Sequence, residues 1–249
     1  DLNAAAKWEA DWLMAFHPGK CTILTITQKK QPFKHDYILH NHTLELVTSA
    51  KYLGVTLQSN LKWNIHYNNI VSNANKSLGF LRRNLKISNS SIKSRAYQSI
   101  VRPKLEYACS LWDPHTADYK NKLEMVQRRA ARYVCNNYHN TSSVTSMLNE
   151  LQWPSLTERR LKTRLIMFYK VIHGLIAIPS LVLIPSDTRT RKLHTQTFRQ
   201  ISTSKDSYKW SFFPQTIIQW NMLPQVVVAS QTIEIYRDQL TPTVLHNII

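Results

Sequence analysis

Apolar side chains change their spacing along this chain, and the change divides it. Leu2, Ala5, Trp8 and Trp12 recur at helical spacing, so residues 2–15 read as an amphipathic helix with these side chains on its apolar face. His17-Pro18-Gly19 stops it. Cys21 to Thr27 is a β-branched run and predicts a strand. A polar, lysine-rich loop from Gln28 to Asp36 follows. Tyr37–Leu39 and Thr43–Val47 then predict a hairpin that turns at Asn41-His42, and Lys51–Leu57 a further strand.

From Ile65 the period becomes helical. Ile70, Ala74, Leu78, Leu81 and Leu85 share one stripe of a long helix that begins near Trp63. Lys76, Arg83 and Lys86 point the other way, with Arg82 on a flank. Ser88 or Asn89 can cap a second helix carrying Ile92, Ala96 and Ile100, which Pro103 kinks or breaks. A third helix over 118–136 places Leu123, Val126, Ala130, Tyr133 and Val134 inward, with Arg128 and Arg132 opposite and Arg129 beside them. Ser142–Leu151 is a short fourth. Ser155 and Glu158 have the spacing of a capping box, opening a fifth helix with Leu161, Leu165, Phe168 and Ile172 inward and Gly174 as its stop. Polar residues 186–207 read as a linker. The cluster Tyr208, Trp210, Phe212, Phe213, Ile217, Ile218, Trp220 and Leu223 reads as core that docks back on the helical region, and a last helix runs from Ser230 through Ile233 and Tyr236 to Leu240. The expected class is α+β: a helix and short strands over 1–60, helices over 61–185, a linker, and an aromatic-rich end over 208–249.

Charge sharpens the picture. The net charge is +17, and residues 61–138 carry 14 basic against 4 acidic side chains, so most bases there cannot be neutralised within the block. Such a concentration is the footprint of a polyanion, which favours nucleic acid over an anionic membrane surface. Cys21, Cys109 and Cys135 are odd in number and lack any Cys-x-x-Cys, which argues against a disulfide framework or zinc knuckle and for a reducing, intracellular setting, cytoplasmic or nuclear. Asp1 to Ala15 has no signal-peptide pattern, and the apolar stretch Val171 to Pro185, broken by Pro179, is too short to cross a bilayer. His35, His40 and His42 cluster, but no complete ligand set accompanies them, so no metal is expected there.

Several motifs resemble the reverse transcriptases of LINE-type (non-LTR, Jockey-like) retrotransposons. They are Lys51-Tyr-Leu-Gly-Val55, Leu61-Lys-Trp-Asn64, Asn75-Lys-Ser-Leu-Gly-Phe-Leu-Arg-Arg-Asn-Leu-Lys86, Val101-Arg-Pro-Lys-Leu-Glu-Tyr-Ala108 and Leu123 to Arg132. Tyr169–Ile172, Ser211–Pro214 and Trp220–Pro224 extend the likeness across essentially the whole chain. The resemblance implies that residues 1–60 are the end of a polymerase palm and the helices after it a thumb and C-terminal region. Phe16-His-Pro-Gly-Lys-Cys21 stands where the family has Asn-Pro-x-Lys-Cys/Thr, so Lys20 maps onto the lysine thought to protonate departing pyrophosphate, with His17 replacing the usual asparagine. Lys51, Tyr52 and Gly54 map onto the primer grip.

No Asp-Asp pair occurs in the chain. The catalytic aspartates and their Mg2+ are therefore expected upstream, with the fingers and the rest of the palm in the same polyprotein; the chain alone needs no cofactor and should not polymerise DNA. The remaining expectation is sequence-independent binding of RNA, DNA or their hybrid, with Lys51, Tyr52 and Gly54 holding the primer end through backbone and aromatic contacts and Lys76, Arg82, Arg83, Lys86, Arg128, Arg129 and Arg132 contacting phosphates. Two alternatives stand beside it: a non-functional remnant of a decayed element, and a non-enzymatic protein-interaction module.

Overall fold

A helix and short strands come first and a long run of helices follows, as the change of period predicts. The computed structural model describes residues 2–27, 29–31, 33, 35–178, 183–187 and 193–248, and its class is mixed α and β with helix predominant. Parts of three regions read from the sequence lie outside the described residues: positions 28, 32 and 34 of the lysine-rich loop, 179–182 of the apolar stretch, and 188–192 of the linker. The chain divides into two compact units, residues 1–66 and 67–249.

The first unit opens with helix α1 (Leu2–Trp12). Its burial is not the expected one. Trp8 and Trp12 are 40% and 66% exposed, whereas Glu9 is buried. The Glu9 carboxylate accepts the Phe16 N–H and lies 2.9 Å from His40 Nε2, so a polar anchor sets the orientation that the apolar spacing misassigned. That N–H, with a smaller contribution from His40, holds the Glu9 carboxyl below its ordinary range despite burial.

The strands are short and pair locally. β1 (Thr22–Leu24) runs parallel to β4 (Glu45–Val47), with Ile23 opposite Leu46. β2 (Ile38–Leu39) and β3 (His42–Thr43) form an antiparallel hairpin. Its turn is His40-Asn41, one residue earlier than the sequence suggests; φ values of 49° and 59° give the mirror-image turn that matches strand twist. The strand expected over Lys51–Leu57 is a second hairpin, β5 (Ser49–Tyr52) and β6 (Val55–Gln58). Leu53 and Gly54, at φ 45° and 84°, make its turn. Glycine accommodates that φ freely and leucine does not, so the apolar character of Leu53 hides a turn that Gly54 alone signals.

Helix α2 (Asn64–Asn84) crosses the unit boundary, and in the second unit it buries Tyr67, Ile70, Ala74, Leu78 and Leu81. The Tyr133 hydroxyl donates to the Leu85 carbonyl (2.9 Å), just past the helix end, and lies 3.3 Å from the Leu81 carbonyl, which already accepts the Leu85 N–H. Asn89 caps α3 (Ser90–Ala96) by accepting the Ile92 N–H. The buried face of this stretch is Lys93, Tyr97, Val101 and Leu105; Ile92 and Ile100 are exposed, one position off the expected stripe. Pro103 does not end the run. A π-helical turn over Tyr97–Val101 widens the backbone ahead of it, and α4 (Arg102–Glu106) starts with the proline in its first turn, where no N–H is needed.

After α5 (Cys109–Trp112) come α6 (Ala117–Val134), α7 (Val144–Glu150) and α8 (Leu156–Ile172). Ser155 accepts the Glu158 N–H, as its capping role requires. Helix α8 is the hub, packing against α4, α5 and α6 and against α10 (Phe212–Asn221), α12 (Ile233–Gln239) and α13 (Pro242–His246). Between them lie the single turns α9 (Asp206–Lys209) and α11 (Gln225–Val228). Phe168, Trp220 and Tyr236 are fully buried here, with the Phe168 and Trp220 rings 5.3 Å apart, so the aromatic-rich end is core. Residues 193–201, within the stretch read as a linker, contribute to the same core: Phe198 and Ile201 pack on it, and buried His194 lies 3.0 Å from the Trp220 carbonyl.

Two buried arginines of α8 hold the unit together from within. Arg160 Nε donates to Asp113 Oδ1 at 2.8 Å, and Arg164 Nη1 donates to Oδ2 of the same carboxylate and, through Nη2, to the Gln219 side chain. Asp113→Ala would strand both guanidinium groups out of water. It is expected to cost about 3–5 kcal/mol in urea unfolding of the full chain. Lys122→Ala, which removes the exposed pair with Asp118 and a contact of the ammonium with the Tyr119 ring, should cost less than about 1 kcal/mol. Equal losses would show that the buried pair is not a determinant of stability.

Candidate nucleic-acid interface

The basic residues of α2 and α6 are exposed because the opposite faces of both helices are core. Lys76, Arg82, Arg83, Lys86, Arg128 and Arg129 are exposed, and Arg132 is half-buried. Polar contacts bring some of them together. Arg129 Nη1 donates to Asn75 Oδ1 of α2 at 3.2 Å. Arg82 lies 5.5 Å above the Tyr138 ring, and Arg132 Nη1 donates to the neighbouring His139 carbonyl at 3.1 Å. The loop after α6 thus gathers Arg82 and Arg132 at one end of the α2–α6 pair. Arg83 lies back on its own helix: a Cβ at Gly79 would stand 3.3 Å from its Nη1. Among the described residues, no such interaction ties Lys76, Lys86 or Arg128 to the group.

Sequence reasoning missed two members of this face. Lys104, exposed on α4, donates to Ser77 Oγ of α2 at 2.6 Å. Tyr138 sits in a loop with no periodic signal. Neither could be placed beside α2 without the helix packing.

The acids of this region have partners other than the candidate cations. Three of the four carboxylates between residues 61 and 138 are committed to α8, and the fourth, Asp118, pairs within α6 itself. Glu106 binds Arg159 through both oxygens, and Asp113 binds Arg160 and Arg164. Asp118 pairs with Lys122 at 2.8 Å. Glu124 accepts the Thr157 N–H at the start of α8 at 2.9 Å; burial raises its pKa, an effect opposed by that hydrogen bond. Among the described residues, none of the seven candidate cations on α2, α6 and the loop after α2 forms an ion pair. A row of unneutralised guanidinium and ammonium groups on a helical face is suited to phosphate oxygens, which arginine can bind through two donors at once.

The other candidates lie in the first unit. Lys20 ends a 3-10 turn over Pro18–Lys20 and is exposed. Lys51, Tyr52 and Gly54 are at the tip of the β5–β6 hairpin, all exposed, with Tyr52 at 66%. Neighbouring strand residues face opposite ways, so exposure of both Lys51 and Tyr52 means that both faces of the tip meet solvent. Two hydrogen bonds brace the base of this hairpin: Ile65 N–H to Gln58 Oε1 at 3.3 Å, and Thr56 N–H to His66 Nδ1 at 3.2 Å.

The buried Cys109 thiol is pushed up to about 11, chiefly by burial, and so is protonated and poorly nucleophilic at neutral pH. Among the described residues no three His, Cys, Asp or Glu side chains converge as metal ligands, and no helix is long and apolar enough to cross a membrane.

Comparison with protein-family models, with curated proteins and with solved structures finds no match to the chain.

Burial lowers the His66 pKa to about 4, and its neutral Nδ1 accepts the Thr56 N–H. Its folded-state pKa lies below the ordinary value near 6.5, so the unfolded chain binds more protons between those limits. His66 therefore contributes stability that is present above about pH 6.5 and is lost as pH falls toward about 4. Urea titrations at several pH values should show this loss, and it should be smaller in His66→Gln. An unchanged pH dependence in that variant would exclude His66 as its source.

Proposed function

We propose that this chain is the C-terminal, template–primer-binding portion of a LINE-type reverse transcriptase: the last palm elements, the thumb, and a helical C-terminal region. The observation that carries the binding role is the disposition of charge. Three of the four acids of the basic block are committed to α8, the fourth pairs with Lys122, and the seven candidate cations on α2, α6 and the loop after α2 have no carboxylate partner among the described residues. A helical face of that kind grips a hybrid duplex by its phosphates and its shape, without reading bases. The family resemblance of Lys51–Val55, Asn75–Lys86 and Val101–Ala108 supplies the polymerase context. In this reading Lys20 is an accessory proton donor, and the β5–β6 tip meets the primer strand.

Magnesium belongs to the complete enzyme. The described residues offer no cluster of metal ligands, and the family's aspartate pair is not in the chain, so no nucleotidyl transfer is assigned to it. The partner that would complete the first unit is the upstream palm. Support for this comes from its open surface: Trp8 stacks with Trp12 and with Phe16, at ring separations of 6.3 and 5.7 Å, and all three are exposed. Among the described residues the parallel β1–β4 sheet has two strands, whereas parallel sheets are usually larger and covered on both faces.

Titration of the purified chain with an RNA–DNA hybrid across salt tests the binding role. Tight binding with a steep negative salt slope, indifferent to sequence, is expected. Changing Arg82, Arg129 and Arg132 together to Ala should reduce the slope by roughly 0.7–0.9 for each phosphate that the variant no longer neutralises. A slope unchanged in the triple variant would overturn the assignment of this face, and primer extension by the chain alone would overturn the claim that it is not catalytic.

A further inference from the structure

A concavity of about 650 Å3 opens in the second unit between α7, α8 and the α12–α13 end, and it shares no lining residue with the basic face. Its volume is that of a small-molecule site. Trp153 forms part of the wall, with its indole stacked on fully buried Tyr97 at 4.4 Å and 24°. The indole N–H of Trp153 is buried and has no acceptor among the described residues, an uncommon and unfavourable state for a donor. Leu148, Ile166, Leu240 and Leu245 add aliphatic wall.

The rim is polar and its formal charges offset one another, Arg159 against Glu106 and Lys162 against the nearby Glu158 carboxylate. Asn149 and Gln152 present exposed side-chain amides, and Thr163 an exposed hydroxyl. Each amide carries both donor and acceptor groups. The two cations at the edge are already engaged: Arg159 by Glu106, and Lys162 by the Leu240 carbonyl at 3.1 Å. Glu158 adds a half-buried carboxylate.

An aromatic and aliphatic cleft, ringed by amides and with both edge cations engaged, suits an uncharged planar ring with a hydrogen-bonding edge. We propose that this cleft receives one unstacked nucleobase of a bound polynucleotide, leaving the phosphates outside. The choice of ligand rests on the nucleic-acid reading of the basic face. Single-stranded bases are recognised by this combination of apolar stacking with amide contacts to their edges.

The test titrates 2-aminopurine riboside, which has no phosphate, into the full-length chain and follows quenching of its fluorescence. Saturable quenching is expected. Asn149→Ala with Gln152→Ala, both at exposed positions, should weaken it by roughly fivefold or more. Thr163→Trp should fill the cleft and abolish it. Both variants should bind a fully paired hybrid as the parent does. Absence of saturable quenching, quenching undiminished in both variants, or displacement by N-acetyl-leucinamide as effectively as by adenosine would overturn the proposal. Because the riboside does not need the basic face, loss of hybrid binding with retained quenching would refute that face and leave the cleft standing.

Discussion

The carboxylate of Asp113, held between the guanidinium groups of Arg160 and Arg164, fixes the centre of the helical unit. The two arginines have almost no exposed surface, so each gave up its hydration when the chain folded. Attraction to a single carboxylate and hydrogen bonds to Thr157 and Gln219 offset part of that cost. Arg160 Nη1 and Arg164 Nε have no acceptor among the described residues, so the offset is incomplete. An arrangement this demanding tolerates little displacement. It ties the segment after α5 to α8, and α8 to α10, at one place.

The same use of acids governs the surface. Glu106, Asp113 and Glu124 are committed to α8, two through arginines and one through the N–H groups that open the helix. Asp118 is engaged by its neighbour one turn away. What remains on α2 and α6 is positive charge with aromatic and amide neighbours, Tyr138 and Asn75. The interior ion network and the exposed basic face are two consequences of one unequal composition.

Around that network the core is aromatic. Tyr169 stacks on Tyr236 at 4.5 Å and donates its hydroxyl to the Ser230 carbonyl, while the Trp220 indole N–H donates to the Gln196 carbonyl. Large rings provide the buried area, and their polar ends fasten segments far apart in sequence. That is how residues 193–201 become part of the interior although their composition is that of a connector.

Helical periods were legible where one face is uniformly apolar. The stripes of α2, α6 and α8 follow from the spacing of Ile70 to Leu81, Leu123 to Val134 and Leu161 to Phe168, and the caps at Asn89 and Ser155 from local hydrogen-bonding chemistry. The excess of bases over residues 61–138 was equally plain, since charge is additive along the chain. Tertiary packing decided the rest. It buried Glu9 and left Trp8 exposed, because Phe16 and His40 supply polar partners from beyond the helix. It turned Leu53-Gly54 into a hairpin loop, drew Lys104 and Tyr138 to the basic face, and committed three of the four acids of the basic block to α8. Periodicity records what a residue does within its own element. A charge's partner depends on which elements meet, and that is set only when the chain packs.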